Sequence, residues 1–370
     1  MGYYALNFID GKRSPIWLAD LASLSIMSIQ QFVKLNSYQL KGNNMNWLPD
    51  ANILLLKKRA RIIQGIRQFF IDRDLLEVET PSLSQSGVTD QHLACFKTYF
   101  IGPEISIEKA EPLGTPLYLQ TSPEFHMKRL LSAGSGSIFQ ISKAFRNEES
   151  GRYHNPEFTL LEWYRIDFDH FQLMQEMDQL LQQVLSCEPA KKMTYQHAFM
   201  QILQVDPLSA SLEQLKEAGQ SLHLGEVLDN EKDFDTVLQL LFCFAIEPVI
   251  AQEKPCFIYD FPASQAALAR ISPVDKRVAE RFEVYYKGIE LANGFHELND
   301  SAEQLRRFEH DNCLRRANAL PEMPIDFRFV ASLNKLPNCA GVALGIDRLI
   351  MLATAQKHID KVLSFSIKGA

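Results

Sequence analysis

The sequence predicts an α+β fold, an antiparallel sheet flanked by helices, and three observations carry that reading. Ile62, Ile63, Ile66, Phe69 and Phe70 recur at spacings of three and four, the apolar stripe of one buried helix. Two apolar segments, Ser137 to Ser142 and Glu157 to Arg165, flank a polar, turn-rich stretch and read as a hairpin with an unusually long, charged loop. Gly341-Val342-Ala343-Leu344-Gly345 is a strand run leading straight into a helix from about Ile346. The chain has 370 residues, 46% hydrophobic and 22% charged, with 17 Gly and 17 Pro. That composition supports a sizeable core and carries no disordered or collagenous bias.

Taken in order, residues 1–49 read as an N-terminal arm and residues 50–370 as one domain. Residues 1–44 carry four basic and two acidic side chains with little periodicity. They are either a flexible arm or the product of an upstream start codon, with Met45 the true initiator. The apolar run Ile16 to Met27 is broken by Asp20, which interrupts the core of a signal peptide. It is also too short for a bilayer, which needs ~20 apolar residues. The first helix should span Asn52 to about Asp72, with Lys57, Lys58, Arg59 and Arg61 as a solvated face, an RNA contact being the alternative. A short strand then runs into Pro81.

Leu117 to Gln120 reads as a strand, and Ser122 as the N-cap of a helix to about Ala133, with Pro123 and Glu124 in its first turn. Residues 170–250 look helical, on the stripes Leu173, Met174, Met177, Leu180, Leu181 and Val237, Leu238, Leu240, Leu241, Phe244. No Gly/Pro/Ser linker isolates this stretch, so it reads as an insertion. Cys256 to Phe261 and Arg281 to Leu298 return to strands, and Asp300 caps a helix carrying Leu305 and Phe308.

The formal charge of −7 argues against a surface that is basic throughout, though a local basic groove survives that argument. The six cysteines are scattered, without C-x-x-C or zinc-ligand spacing, and read as reduced and buried, in a cytoplasmic protein. The common glycine-rich phosphate loops, G-x-S-x-G and H-E-x-x-H are all missing, so serine hydrolase and zinc peptidase readings fall away.

Strand alternation singles out candidate chemistry. In a strand over Glu157 to Arg165, Phe158, Leu160, Glu162 and Tyr164 share one face. Glu162 is then either half exposed on an edge or a buried, partnered carboxylate. A two-residue turn at Lys287-Gly288 sets Tyr285 opposite Glu290 and Glu283 opposite Ala292. Glu283 and Glu290 become diagonal neighbours ~7–8 Å apart. They either converge on one divalent cation bound to phosphates or are two solvated glutamates. Glu297 has the opposite parity, and reaches the same pocket only through a bulge, most easily at Asn293-Gly294. Arg146 and Arg152 in the long loop, and Arg348 after Gly345, suit bidentate recognition of an anion.

Phe145-Arg146-Asn147-Glu148, with Arg152-Tyr153-His154-Asn155-Pro156-Glu157-Phe158, resembles motif 2 of class II aminoacyl-tRNA synthetases. Gly341 to Arg348 resembles motif 3, and the helix and strand ending at Pro81 resemble motif 1, the dimer interface of that class. Thr121-Ser122-Pro123-Glu124, Glu162-Trp163-Tyr164 and Glu290 to Leu298 resemble the lysine-specific branch.

The resemblance implies that Arg146 and Arg348 are catalytic. It implies that Arg146, Asn147, Glu148, Asn155, Phe158, Glu290, Leu291, Gly345 and Arg348 bind ATP, with Phe158 and Arg348 around the adenine, and that Glu283 and Glu290 bind Mg²⁺. Ser122, Pro123, Glu124, Glu162, Tyr164, Asn293, Glu297 and Ala343 would line the amino-acid pocket. In it Glu124 takes the amino group near the carboxylate, while Tyr164, Glu297 and Glu162 hold the distal ammonium.

Two departures matter. About 50 residues precede the first helix, too few for the five-stranded anticodon-binding barrel of a lysyl-tRNA synthetase. Ala343 stands where those enzymes typically have glycine, putting a methyl against the amino-acid pocket. Both departures resemble the truncated lysyl-tRNA synthetase paralogues, the family of elongation factor P–(R)-β-lysine ligases. The resemblance implies ATP and Mg²⁺ as cofactors, (R)-β-lysine and elongation factor P as partners, a homodimer, no membrane and no tRNA. The rival expectations are a minimal lysyl-tRNA synthetase and a non-catalytic amino-acid-binding paralogue.

Overall fold

The computed structural model describes residues 47–102, 114–220 and 224–370. The question posed by residues 1–44 lies outside the described residues. The first helix, α1 (Ile53–Ile71), begins where Asn52 Oδ1 accepts from Leu55 N at 2.8 Å and buries Leu55, Ile66, Phe69 and Phe70. β1 (Leu76–Glu77) follows; β2 (Leu83–Ser84), β3 (Lys97–Phe100) and β4 (Thr115–Leu119) form a small sheet in the order β2-β4-β3. Next come α2 (Glu124–Ser132), the hairpin β5 (Ile138–Phe145) and β6 (Glu157–Ile166), and α3 (His170–Leu185). β7 (Lys191–Thr194) leads into α4 (Tyr195–Leu203), α5 (Leu212–Gln220), α6 (Gly225–Leu228) and α7 (Phe234–Leu241), the last continued by a π-helical turn over Phe242–Ile246. The chain ends with β8 (Cys256–Pro262), β9 (Val278–Tyr286), β10 (Ile289–His296), α8 (Ser301–Ala317), α9 (Phe327–Ser332), β11 (Cys339–Gly345) and α10 (Ile346–Ala353).

The large sheet has eight strands in the order β1-β5-β6-β11-β10-β9-β8-β7. Its two edge pairs, β1 with β5 and β7 with β8, are parallel. The interior pairs are antiparallel. Residues of one parity, among them Leu161, Trp163, Val284, Ala292, Val342 and Leu344, point into the principal core with side chains of α1, α3 and α10. The opposite face is covered at one end by α2, α8 and α9 around Phe125, Phe308 and Phe329, which enclose Ile138 and Tyr164. At its other end Ile258 and Tyr285 pack with Tyr195, Phe199, Leu238 and Phe242. The middle of that face carries the site.

The helical stretch over 170–250 therefore serves two places. α3 lies under the sheet in the principal core, whereas Tyr195 to Ile250 builds the second cluster on the other face.

Several sequence expectations are corrected. The helix expected to be capped by Ser122 starts one residue later, with Pro123 at the cap position and no side-chain cap bond there. Ser122 Oγ accepts from Glu124 N at 3.1 Å but gives its proton to a carboxylate across the sheet. Arg59 does not belong to a solvated basic face. Its guanidinium meets the buried Asp347 at 2.6 Å and donates to Thr159 Oγ1 and Val362 O, tying α1 to β6 and α10.

The β9–β10 hairpin turns at Lys287-Gly288, both with positive φ, and sets Tyr285 opposite Glu290 as expected. Its bulge, however, lies between Glu290 and Ala292, ahead of Asn293-Gly294, so Glu283 opposes Asn293 and not Ala292. The extra residue at Leu291 sends that side chain into the principal core. It also returns Asn293, Phe295 and Glu297 to the face of Glu290.

Candidate active site

The registers align one row of side chains across five strands. Gln140 opposes Glu162, Glu162 opposes Ala343, Ala343 opposes Asn293 and Asn293 opposes Glu283. Cross-strand partners share a face, so the row forms a continuous floor on the side away from the principal core. Beside it runs a second row, Ile138, Tyr164, Gly341, Phe295 and Arg281.

Gly341 is needed for close approach. A Cβ there would stand 2.3 Å from the Tyr164 ring and 2.6 Å from Glu297 Oε1.

At one end of the floor lies a buried acidic pocket. Glu162, 2% exposed, accepts from Ser122 Oγ at 2.7 Å and from Tyr164 OH at 2.6 Å. Lys128 reaches in from α2 and its Nζ stands 2.6 Å from Glu124 Oε1 and 2.5 Å from Glu297 Oε2. Burial, and then the charge of Glu124, raises the Glu162 carboxyl to about 7. Burial also raises Glu297, to about 8, with Glu124 and Glu162 reinforcing it against Lys128. Burial opposes the charge on Lys128, but Glu124 and Glu297 outweigh it and hold the ammonium above its usual range. Among the described residues, three carboxyl groups thus face a single fixed cation. The pocket is short of positive charge and suits a ligand that brings ammonium groups with it.

At the other end stand Glu283 and Glu290. Glu283 accepts from Arg281 Nη2 at 2.5 Å and from Tyr285 OH, and burial raises its carboxyl. Glu290 is half exposed and contacts Arg348, whose Nη1 also donates to the Glu290 carbonyl at 2.8 Å. Glu247, from the helical segment, is pushed up to about 7 by burial and then by the charge of Glu290. An excess of carboxylate oxygen at this end is the donor set a hard divalent cation takes.

The long β5–β6 loop and Arg348 border this end. Arg146 lies with its guanidinium carbon 5.2 Å from the Phe158 ring centre and its Nη1 3.3 Å from Glu149. Its Nε is buried without a partner. Arg348 Nη2 reaches His154 Nε2 at 2.6 Å; burial and then Arg348 hold His154 below its ordinary range, so its neutral ring accepts that bond. Asn147 and Glu148 are exposed, Glu148 with a φ of 73°.

Of the residues picked from the sequence, Ser122, Glu124, Glu162, Tyr164, Asn293, Glu297 and Ala343 are assembled along the floor, with Pro123 buried behind them. Asn155 stands apart. It is buried, and its amide donates to Glu157 O and accepts from Ile367 N, tying the loop to the C-terminal segment. Leu291 offers only its backbone, since its side chain is in the core.

The sequence reading missed Lys128, Arg281, Tyr285, Glu247 and the packing role of Gly341. Lys128 was findable as the i+4 partner of Glu124 on one helix, and Arg281 and Tyr285 as the same-parity neighbours of Glu283. Glu247 sits in a helix remote in sequence and gives no such signal.

Residues 37–368 match the family described as tRNA synthetases class II (D, K and N). The chain is 59% identical over 328 residues to the "Elongation factor P--(R)-beta-lysine ligase" of Vibrio cholerae, covering 88% of this chain and 99% of that protein. Proteins of the same name from Edwardsiella ictaluri and Salmonella typhi are 58% and 57% identical, each over 88% of this chain and 98% of their own length. With an acidic pocket and a carboxylate-rich end on one sheet face, and relatives matched along nearly their whole length, the chain belongs to the class II tRNA synthetase family (D, K and N), among its elongation factor P–(R)-beta-lysine ligases.

Proposed function

We propose that the enzyme activates (R)-β-lysine with ATP and transfers it to a lysine side chain of elongation factor P. The observation that carries this reading is the acidic pocket of Glu124, Glu162 and Glu297 beside the methyl of Ala343. Such a pocket accepts a diamino acid, and the methyl selects among diamino acids of nearly equal size.

In the first step a carboxylate oxygen of β-lysine attacks the α-phosphorus of ATP, and the bond to the β-phosphate breaks to release pyrophosphate. In the second, a lysine ε-amino group of the protein substrate attacks the acyl carbon. AMP leaves and an amide remains.

Arg146 holds the substrate carboxylate against the α-phosphate, positioned by its place at the root of the β5–β6 loop. Phe158 and Arg348 lie on either side of the adenine, Asn147 and Glu148 contact ATP from the loop, and Gly345 leaves room for the nucleotide. Glu124 takes the amino group near the carboxylate, while Tyr164, Glu162 and Glu297 hold the distal ammonium. Lys128 keeps Glu124 and Glu297 in register. Glu283 and Glu290, with Glu247 behind them, would hold Mg²⁺, which neutralises the phosphates when bound.

Supporting a homodimer are exposed apolar side chains at the first helix and strand, Ile71 at 53% and Leu76 at 54%. All six cysteines are free, but against the sequence expectation only Cys256 and Cys339 are buried, and Cys243 and Cys313 are exposed. Among the described residues no helix is long and apolar enough to cross a membrane. The free thiols fit a cytoplasmic ligase working where elongation factor P and ATP are found.

The test supplies the enzyme with ATP and labelled (R)-β-lysine or α-lysine, with elongation factor P or tRNA as acceptor. Label should pass to elongation factor P, and from β-lysine faster than from α-lysine. Faster charging of tRNA would make the protein a minimal lysyl-tRNA synthetase. Absence of β-lysine-dependent pyrophosphate exchange would leave it a non-catalytic paralogue.

A further inference from the structure

On the opposite face of the sheet from the acidic pocket, His170 at the start of α3, Glu280 of β9 and His296 of β10 come together. One ligating atom from each lies within 4.8 Å of the other two. His170 is 4% exposed, and neither of its ring nitrogens has a hydrogen-bond partner. A buried imidazole with both nitrogens idle forgoes the bonds that water would have supplied.

The second anomaly is at His296. Its Nε2 lies 3.0 Å from Asn338 Oδ1, and that oxygen also accepts from Arg270 Nη2, which can only donate. Nε2 of His296 is therefore the donor. In a neutral ring Nδ1 then carries the lone pair, yet it points at Glu280 Oε2 from 2.5 Å. Two lone pairs that face each other repel, and a positive centre is needed to offset them. A second proton on His296 would supply one, but would leave His170 unexplained.

We propose that His170, Glu280 and His296 bind one divalent transition-metal ion of the zinc class, a site distinct from the carboxylates Glu283 and Glu290. Two imidazoles and a carboxylate are a zinc donor set, and the fourth position of a tetrahedral ion is left to water. Asn338 already plays the part of the outer hydrogen bond that fixes which nitrogen of a ligand histidine faces the metal. Two further features agree. Burial lowers the His170 ring to about 4, which keeps it neutral, with the lone pair of one nitrogen available to a metal, at neutral pH. Asp260 nearby is raised to about 6 by burial and then by the charge of Glu280 and Asp275, a negative excess that a cation relieves.

The ion would brace the end of β10. His296 directly precedes Glu297, and Arg270 joins Asn338 Oδ1 to the Glu297 carbonyl through Nη2. Occupancy would thus stiffen the backbone that aims a carboxylate into the amino-acid pocket.

The full-length enzyme, treated with chelator and free of ATP, is dialysed against zinc chloride and its metal content measured by mass spectrometry. Wild type should bind one zinc per chain and gain thermal stability from it. His170→Leu, which fills the same buried volume without nitrogens, should bind at least about tenfold more weakly and show no gain. His170→Gln serves if the leucine variant does not fold. Cobalt in place of zinc should give tetrahedral d–d absorption in wild type that the variant lacks. The double variant Glu283→Gln/Glu290→Gln should keep its zinc. Wild type binding no zinc, His170 variants binding it unchanged, or loss of zinc in the Glu283/Glu290 variant would each overturn the proposal.

Discussion

Ala343 places one methyl between Glu162 and Asn293 on the floor. Ala343→Gly should raise kcat/KM for α-lysine relative to β-lysine about 10- to 100-fold, since one methyl in a pocket is worth ~1–3 kcal/mol. Pyrophosphate exchange with the two amino acids measures it, and an unchanged ratio removes Ala343 from selection. A second expectation follows from the raised carboxyls of Glu162 and Glu297. A group whose folded pKa is raised contributes stability that is complete below its unfolded pKa and lost as pH climbs through the folded one. The thermal midpoint of the free enzyme should therefore fall as pH rises through about 7 and about 8. Saturating β-lysine, whose ammonium groups neutralise the pocket, should flatten that fall. Its binding near pH 7 should release protons, visible by calorimetry in buffers of different ionisation enthalpy; zero release would mean that these carboxyls are already ionised. Lys128→Met should raise the KM for β-lysine more than the KM for ATP, because it frees Glu124 and Glu297 from their tether but leaves the nucleotide end alone.

Among the elements, α1 is joined to β6 and α10, on the core side of the sheet, through a buried ion pair. Arg59 meets Asp347, which is fully buried and also accepts from Thr159 N at 2.7 Å. Arg59→Met strands that carboxylate and should cost ~3–5 kcal/mol in urea unfolding, with Asp347→Leu added to it recovering much of the loss. A double variant no more stable than the single would show that the pair is not the cause. This link also marks where the sequence was illegible. Arg59 sits among Lys57, Lys58 and Arg61, and composition alone cannot tell a paired arginine from its solvated neighbours. The face shared by Glu162 and Tyr164 was legible, because period-two alternation is a local property of one strand. Hairpin pairing was legible as far as Tyr285 and Glu290, the residues nearest the turn. Beyond them the bulge shifted the register by one, and nothing local distinguishes Leu291 from Asn293 as its seat. Lys128 was half legible: its i+4 spacing from Glu124 is local, but its burial shows only once Glu297, far along the chain, is seen beside it.

Over the whole molecule, the α+β class followed from three short patterns, and the eight-stranded sheet bears it out. Its strand order was not predictable, because β11 inserts between β6 and β10. If the exposed apolar residues of the first helix and strand meet a second copy, Leu76→Asp should shift sedimentation from dimer to monomer; an unaltered dimer would place the contact elsewhere. The same insertion has a consequence for how the protein is made. Trp163 on β6 pairs with Val342 on β11, about 180 residues further along the chain. At ~5–20 residues per second the ribosome needs roughly 10–40 s to deliver the partner strand. Throughout that interval β6 is an open edge beside an unfinished core, and loop closure over such a separation is slow. The amino-acid floor is thus among the last features to exist in a newborn molecule, and aggregation during synthesis is the hazard this topology sets against it.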